Sequence, residues 1–416
     1  MKAFLAASAT LLAVAPIAAA AQTTQGFARE GLARIGTVMK DDVAAGRFPG
    51  AVTLIARNGR IVHLETHGFQ DAAKTKPMRR DTIFRMASMT KPITTVAAMM
   101  LVEQGKLRLE DAVGTHLPEL KDLKVELRRK GDGGAETSED VSANPITVQD
   151  LMRHTSGLVY SFSSPSPRVK KAYDDAKFEL SAEDMPPAEM LKRLAQIPLV
   201  VQPGTEFNYS VSTDVLGLLV ERVAKKPLDQ VLQEMLLGPL GMKDTAFWVP
   251  EAKRARLAEL LDGDPLKASA NRMCLPEADI RRNYFQGGAG LCSTIDDYYR
   301  FVQMLANGGE FGGRRYLSPK TVAFMLSDHT LGMTGTTAGS TGPGYGFGLG
   351  FAVRRHDGMG WAPGSVGDAM WAGIFGTSFT IDPREKLLAI QLTQGAAARL
   401  RSRIMFKSLV YGAMGR

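Results

Sequence analysis

The stretch "FRMASMTKPIT", residues 84–94, decides how this 416-residue chain is interpreted. It places Ser88 and Lys91 three residues apart, and apolar residues at helical spacing follow in "TVAAMMLVEQGKL". Pro92 is tolerated only in the first turn of a helix, so the predicted helix must begin close to Ser88. Residues three apart lie on one face of a helix, which would put Lys91 beside Ser88.

A serine beside a lysine at a helix start can be a nucleophile with its base. A serine hydroxyl reacts when a neighbouring group accepts its proton, and a lysine in a dry site can be that group. The spacing alone is common and indicates no more than a helix start. Two later stretches give it a context: "FNYSVSTDVLGLLVERV", where Tyr209 precedes a predicted helix, and "MWAGIFGTSFTIDP", where Trp371, Ala372 and Gly373 lie in a predicted strand.

Three motifs in this order resemble the serine β-lactamase and penicillin-binding-protein superfamily. Within it the chain is similar to the family VIII carboxylesterases, which are class-C-β-lactamase-like esterases. Supporting stretches are spread over nearly the whole chain: "ITVQDLMRHTSGL", "LLGPLGMKDTAF" and "GGAGLCSTIDDYYRF". The resemblance implies an α+β fold, with an antiparallel sheet flanked by terminal helices and a mainly helical second lobe. It also implies a serine hydrolase that cleaves small-molecule esters without a metal or an organic cofactor.

The resemblance assigns a role to each site residue. Ser88 would be the acylated nucleophile, Lys91 its base, and Tyr209 a partner of Lys91 in proton transfer. The backbone N–H groups of Ser88 and Ile374 would hold the oxyanion. The substrate pocket would be lined by residues of the second and third motifs and of the aromatic loop "GLVYSFSSPSPR": Trp371, Ala372, Gly373, Val211 and Tyr160.

Two departures from the class C pattern bear on the substrate. The second motif is Tyr209-Ser210-Val211 where class C enzymes have Tyr-x-Asn, and the chain contains no Lys-Thr-Gly. Both losses remove groups suited to a β-lactam, so we expect short-chain esters to be the better substrates, with weak cephalosporin hydrolysis at most. The alternatives are a β-lactamase, a D-amino-acid peptidase of the DD-peptidase type, and a non-catalytic penicillin-binding-like module. Retention of Ser88, Lys91 and Tyr209 together argues against the module.

The order of the predicted elements indicates two lobes. Strands are predicted near both ends of the chain, with a hairpin around Asn58-Gly59 and short β-rich runs after residue 344. Helical patterns predominate between them. We therefore expect one α/β lobe from residues 22–106 and 312–416, a mainly helical lobe from residues 107–311, and a cleft between the two.

The N-terminus "MKAFLAASATLLAVAPIAAAAQT" has the pattern of a secretory signal peptide, with one lysine, a short apolar run and small residues. Residues 1–21 are expected to be removed near Ala21-Gln22, which would make the protein periplasmic or secreted. An uncleaved anchor is the less favoured alternative, because the apolar run is short for a membrane span. Cys274 and Cys292 could pair in an oxidising compartment or remain free thiols, and spacing does not decide between these outcomes.

Other functional patterns are weaker. The formal charge is +8, but the basic residues are mixed with acids, and residues 126–140 are expected to form a solvated loop, so no nucleic-acid partner is expected. His63 and His67 lie on a predicted strand, where four residues span about 13 Å, too far apart for one zinc ion. His154 is expected to be a structural residue at a helix end. The absence of Gly-x-Ser-x-Gly excludes the α/β-hydrolase nucleophile elbow.

Overall fold

A computed structural model describes residues 23–130, 136–177, 185–270, 273–274, 284–333 and 337–415. The expected signal peptide and its cleavage position near Ala21-Gln22 lie outside the described residues. The strands are β1 Thr23–Thr24, β2 Phe27–Ala28, β3 Gly50–Arg57, β4 Arg60–Gly68, β5 Phe84–Arg85, β6 Lys124–Lys130, β7 Glu136–Ser142, β8 Cys292–Ser293, β9 Glu310–Phe311, β10 Arg314–Arg315, β11 Tyr345–Phe347, β12 Ala352–Arg354, β13 Ala369–Ala372, β14 Ser378–Asp382 and β15 Leu387–Thr393.

The helices surround the sheet and fill the middle of the chain. They are α1 Arg29–Ala44, α2 Thr90–Glu103, α3 Val113–His116, α4 Val148–Arg153, α5 Pro167–Ala176, α6 Pro187–Leu194, α7 Ser212–Ala224, α8 Leu228–Leu232, α9 Gly238–Leu240, α10 Glu251–Arg254, α11 Lys267–Ala270, α12 Ile295–Ala306, α13 Pro319–Met325, α14 Ala338–Thr341 and α15 Arg399–Gly412. A 3₁₀ turn, Ala87–Met89, directly precedes α2.

The central sheet joins the two ends of the chain. Its seven strands run antiparallel in the order β11-β12-β13-β14-β15-β3-β4, and the β15–β3 pair links the C-terminal strands to the N-terminal hairpin. Asn58 and Gly59, at the tip of that hairpin, both have positive φ, as a type I′ turn requires. An antiparallel sheet built from both ends, with helices elsewhere, confirms the predicted α+β class.

Side chains alternate between the two faces of the sheet along each strand, and both faces of the central strands β3 and β15 are buried. On one face, Ala51 and Ile55 of β3 join a core with the terminal helices α1 and α15, including Ile35 and Phe406. On the other face, Val52, Leu54 and Ala56 join the main core, to which α2, α7 and α12 contribute. The sheet therefore fixes the strands of the C-terminal part against helix α2, which begins just after Ser88.

The middle of the chain is mainly helical, but it also contains a hairpin that was not expected. Strands β6 and β7 pair antiparallel where residues 126–140 were expected to form a solvated loop. Most of the hairpin's side chains are exposed, so its sequence lacks the apolar alternation that is typical of a half-buried strand. An ion pair between Arg129 and Glu139 joins its two strands. This expectation is corrected, while the boundaries proposed for the two lobes stay a prediction.

Cys274 and Cys292 form a disulfide bond, with their Cα atoms 6.2 Å apart. The bond joins residues 18 positions apart and encloses the glycine-rich segment 287–290. Closing a loop of this length stabilises a folded chain by about 3 kcal/mol in the chain-entropy account. Of the two alternatives left open by the sequence, the structure adopts the paired one.

Two buried histidines of β4 should make folding stability depend on pH. Burial lowers the pKa of His63 and of His67 to about 4, with smaller contributions from His67 and Lys40, respectively. Histidine in an unfolded chain titrates near 6.5, so between about pH 6.5 and 4 the unfolded state binds more protons. Stability should therefore fall as the pH falls through this window, by up to about 1.4 kcal/mol per pH unit for each group.

Denaturant unfolding at pH 7 and pH 5 measures this loss, which should be smaller in His67→Gln than in the natural protein. The exposed His356 provides the matched control, and His356→Gln should keep the full loss. An unchanged loss in His67→Gln would contradict the role given to the buried imidazole.

Candidate active site

The turn before α2 holds Ser88 at the wall of a cavity of about 550 Å³. Its preceding residue, Ala87, has a φ of +45°, a left-handed conformation that costs a non-glycine residue about 1 kcal/mol or more. Hydrogen bonds fix the turn, because the Met89 N–H donates to the Met86 carbonyl and the Tyr298 hydroxyl donates to the Met89 carbonyl. The strained turn thus leaves the Ser88 side chain only partly buried and facing the cavity.

Lys91 lies one turn further on and has no exposed surface. Its Nζ donates to the Gly288 carbonyl at 2.8 Å and to the Tyr160 hydroxyl at 2.9 Å, and it is 3.4 Å from Ser88 Oγ. An ammonium group has three donors, so these three oxygens can satisfy it without water. The structure therefore brings Ser88 and Lys91 together as the helical spacing predicted.

Two tyrosines flank Lys91, and they are bonded differently. The ring of Tyr209 lies 4.8 Å from Lys91 Nζ, but its hydroxyl has no hydrogen-bond partner among the described residues. Tyr160, expected only as a pocket wall, is the one whose hydroxyl contacts Nζ. The centroids of the two rings are 5.4 Å apart, and both side chains line the cavity that contains Ser88.

The sequence analysis missed Asp214 and the loop that connects it to Lys91. The Gly288 N–H donates to Asp214 Oδ1 at 3.1 Å, while the carbonyl of the same residue accepts from Lys91. A Cβ on Gly288 would lie 2.5 Å from Asp214 Oδ2, so this close approach requires glycine. Burial raises the pKa of Asp214, and the nearby Lys91 opposes that rise. An acid in the first turn of a helix is common, so Asp214 gave no distinctive signal.

His154 supports the site from behind and does not contact Ser88. It is fully buried, its Nδ1 lies 3.2 Å from Ser210 Oγ, and its ring packs edge-on against Tyr209 at 4.8 Å. Burial lowers the pKa of His154 well below its usual value, and the charge of Lys91 lowers it further. A neutral ring packed under Tyr209 fits the structural role expected from the sequence.

The third motif, Trp371-Ala372-Gly373, forms a wall of the cavity at the end of β13. A Cβ on Gly373 would lie 2.4 Å from the Met86 carbonyl, so glycine here lets the strand approach the turn that carries Ser88. Trp371 packs 5.3 Å from Tyr209, and Ile374 lines the cavity together with Ser88. This places the two proposed oxyanion residues on one cavity, and their role stays a prediction.

Four of the five predicted pocket residues line this cavity: Tyr160, Trp371, Ala372 and Gly373. Val211 does not, because its side chain is 2% exposed and packs in the main core at the start of α7. This placement corrects the expectation for Val211. Phe162, from the aromatic loop expected to line the pocket, also lines the cavity. Residues not anticipated from the sequence line it too, and they come from several elements: Asp214, Leu266, Gln286, Ala289, Arg399, Leu400 and Arg403.

Comparison with known proteins places these features in a family. A model of the Beta-lactamase family matches residues 35–409. The chain is 32% identical over 382 residues to Esterase EstB of Burkholderia gladioli, covering 88% of this chain and 90% of EstB. The solved structure of EstCE1, "a hydrolase with promiscuous acyltransferase activity", matches with a TM-score of 0.76 and 31% identity, covering 92% of this chain and 99% of EstCE1.

A third similarity concerns the fold alone. Unliganded simvastatin synthase LovD from Aspergillus terreus matches with a TM-score of 0.73 at 24% identity, covering 92% of this chain and 99% of that chain. Together with EstCE1 it confirms the predicted fold class over nearly the whole chain.

The two tyrosines should differ in their effect on turnover. Because the Tyr209 hydroxyl has no hydrogen-bond partner among the residues that the structure describes, it is available to exchange a proton with the substrate, whereas the Tyr160 hydroxyl is bonded to Lys91. We expect Tyr209→Phe to lower kcat for p-nitrophenyl butyrate about 100-fold and Tyr160→Phe about tenfold. Lys91→Ala should lose at least as much as Tyr209→Phe. The Lys91→Ala/Tyr209→Phe double variant should lose little more than the worse single one, since both residues serve one transfer.

Phe162→Leu is the control, because it changes an exposed aromatic side chain of the same cavity without removing a hydroxyl. Near-normal kcat in Tyr209→Phe together with a larger loss in Tyr160→Phe would transfer the proton-exchange role to Tyr160.

Proposed function

The chain belongs to the beta-lactamase family and, within it, to the family VIII carboxylesterases, so it is a serine hydrolase that acts on esters; from this premise we propose that it forms an acyl-enzyme on Ser88. The observation that carries the proposal is the contact between Ser88 Oγ and the fully buried Lys91, next to the unbonded hydroxyl of Tyr209. The proposed substrates are esters with short acyl chains.

The proposed reaction has two halves. In the first, Ser88 Oγ attacks the ester carbonyl carbon while its hydroxyl proton passes to the neutral amine form of Lys91, and Tyr209 shares in this transfer. The backbone N–H groups of Ser88 and Ile374 hold the negative oxygen of the tetrahedral intermediate. When the intermediate collapses, the C–O bond to the alcohol breaks, and Tyr209 delivers a proton to the departing oxygen.

In the second half, water attacks the acyl carbon, its proton passes to the same pair of side chains, and Ser88 Oγ leaves with a proton returned to it. Lys91 is suited to both halves because Gly288 and Tyr160 hold its Nζ in place while the Ser88 contact breaks and re-forms. Fixing the base in this way lowers the entropy cost of each transfer.

The walls of the cavity favour esters over β-lactams. Trp371 stands where class C enzymes carry the lysine of the third motif, and with Tyr160 and Tyr209 it forms an aromatic wall suited to a small acyl chain. Position 211, where class C enzymes have an asparagine, is a valine buried in the core. Weak cephalosporin hydrolysis is included in the proposal, because a good leaving group demands less of the site.

We also propose that the protein is exported and that the mature chain begins near Gln22. The Cys274–Cys292 disulfide supports this, since such bonds persist mainly in oxidising compartments. Across the part of the chain that the structure describes, every helix falls short of the length and apolarity needed to cross a membrane. N-terminal sequencing of protein purified from an exporting host reads the cleavage position directly.

The nucleophile is tested by Ser88→Ala. This variant should lose hydrolysis of p-nitrophenyl butyrate and labelling by a fluorophosphonate probe, while its circular dichroism spectrum and melting temperature stay close to those of the natural protein. Intact and peptide mass spectrometry should place the adduct on Ser88. Ser365→Ala, at a serine in the segment between β12 and β13, should label normally, and an adduct on any residue other than Ser88 would refute the assignment.

Substrate preference provides a second test. An acylamino side chain, as in penicillins, would bring an amide to a cavity to which position 211, a valine buried in the core, contributes no hydrogen-bonding group, and leaving the amide unpaired costs about 1–3 kcal/mol. That penalty corresponds to a loss of about fivefold to 150-fold. We expect kcat/KM to fall in the order p-nitrophenyl butyrate, a chromogenic cephalosporin, benzylpenicillin, measured on one preparation. A penicillin value equal to the ester value would favour the β-lactamase alternative.

A further inference from the structure

Arg168 connects the β6–β7 hairpin to the aromatic loop, residues 157–168, that carries Tyr160. It lies in the first turn of α5, which follows the loop directly. Its Nε donates to Glu126 Oε1 of β6 at 2.9 Å, and its Nη1 donates to Asp140 Oδ2 of β7 at 3.2 Å. One guanidinium at the end of the loop thus binds both strands of the hairpin.

The hairpin needs this guanidinium because its strands place two carboxylates side by side. Glu126 and Asp140 are directly opposite each other in the register of β6 and β7. Like charges at opposite positions of an antiparallel pair are destabilising, and Glu126 is also buried, with 4% of its surface exposed. Arg168 supplies the compensating charge in a geometry that pairs with both acids. The position of the hairpin therefore fixes the position of Arg168 and of the loop that ends at it.

The loop is anchored at a second point near its end and also at its beginning. Near the end, Arg128 Nη1 of β6 donates to the Pro165 carbonyl at 2.6 Å. At the beginning, the Gly157 carbonyl accepts from the Val200 N–H at 2.9 Å. The neighbouring Leu199 exchanges two backbone hydrogen bonds with β6. Both ends of the loop are therefore linked to the same strand of the hairpin.

Tyr160 lies between these anchors and reaches the proposed base. Its hydroxyl accepts from Lys91 Nζ at 2.9 Å, and its side chain lines the cavity that contains Ser88. The loop also contacts the second motif, since Ser163 Oγ donates to the Tyr209 carbonyl at 3.4 Å. Because a hydrogen bond weakens steeply as its geometry departs from the optimum, a small displacement of the loop would loosen its hold on Lys91.

We propose that Arg168 is a positioning residue for the proposed hydrolysis, and that Glu126 and Arg128 act with it. The hairpin holds the aromatic loop in place, and the loop holds the Tyr160 hydroxyl on Lys91 Nζ while this base exchanges its proton. The inference rests on the proposed function and adds to it three side chains that do not line the cavity. Because they contact no substrate there, their loss should lower kcat and leave the binding of a small ester nearly unchanged.

The test measures kcat and KM for p-nitrophenyl butyrate in two variants, Arg168→Gln and Arg128→Gln. Arg168→Gln should lower kcat about fivefold, less than the loss of about tenfold expected when Tyr160→Phe removes the hydroxyl itself. Arg128→Gln removes one anchor of the loop and should lower kcat about threefold. KM should stay within about twofold of the natural protein in both variants. An unchanged kcat in Arg168→Gln would overturn the proposal, and so would a rise in KM at constant kcat.

Arg129→Gln is the matched control, because Arg129 is the next residue of the same strand but pairs within the hairpin. Its Nη2 lies 2.9 Å from Glu139 Oε1 of β7, and both side chains are exposed. Loss of this exposed pair should leave kcat within about 1.5-fold of the natural value. Arg168→Lys keeps a cation between the two acids and should retain more kcat than Arg168→Gln. A loss in Arg129→Gln as large as that in Arg168→Gln would indicate general destabilisation and overturn the positioning role.

A double-variant cycle with Tyr160→Phe shows whether Arg168 acts through that tyrosine. In the Tyr160→Phe background the hydroxyl on Lys91 is already absent, so Arg168→Gln should lower kcat by less than about twofold. A full fivefold loss in both backgrounds would contradict the proposed route. Arg128→Gln, which leaves the buried acid pair and its guanidinium intact, allows the same cycle if Arg168→Gln fails to fold, and an undiminished loss there would likewise overturn the proposal.

Failure of this inference and failure of the proposed function give different results. If kcat is unchanged in Arg168→Gln while Ser88→Ala abolishes hydrolysis, the positioning role alone is overturned. Hydrolysis of p-nitrophenyl butyrate that persists in Ser88→Ala would refute the proposed function itself.

Discussion

The burial of one lysine organises this site. Lys91 has no exposed surface, and burying an ammonium group is costly unless its donors are all bonded. Its three contacts come from three parts of the chain: the turn before α2, the aromatic loop with Tyr160, and the glycine-rich loop with Gly288. These segments must meet at one point for the lysine to be tolerated. The same meeting brings a nucleophile, a tyrosine hydroxyl and a cavity together, so stability and catalytic geometry depend on one set of hydrogen bonds.

Local sequence patterns could predict a good part of this arrangement. The Ser88–Lys91 spacing needs only helical periodicity, and the sheet built from both chain ends follows from β-rich runs around Asn58-Gly59 and beyond residue 344. The placement of Tyr209 and Trp371 near Ser88 came from the resemblance to a family. The helical spacing and the β-rich runs are each visible within a single element, whereas the family resemblance supplied the contacts between distant elements.

The features that could not be predicted depend on contacts between distant segments. The bond from Lys91 to Tyr160 joins residues 69 positions apart, and the link from Gly288 to Asp214 joins residues 74 apart. The motif Tyr209-Ser210-Val211 led us to predict that Val211 lines the pocket, but its side chain, at the start of α7, packs in the core. Periodicity gives the face of a helix on which a residue lies, and packing decides which neighbour covers that face.

The charged residues of the cavity lie in two groups on separate segments of the chain. On one side, Lys91 is fully buried, its charge is opposed by Asp214, and His154 behind Tyr209 is kept neutral by burial. This part adds little net charge to the space a substrate enters. On the other side, the first turns of α15 carry two guanidinium groups, of Arg399 and Arg403, that line the same cavity and form no ion pair with any described residue. Since charges are screened less where water is scarce, these guanidinium groups contribute a positive field to the space that a substrate enters. Replacing residues of α15 could therefore change which esters are accepted while the hydrogen bonds around Lys91, on separate segments, stay intact.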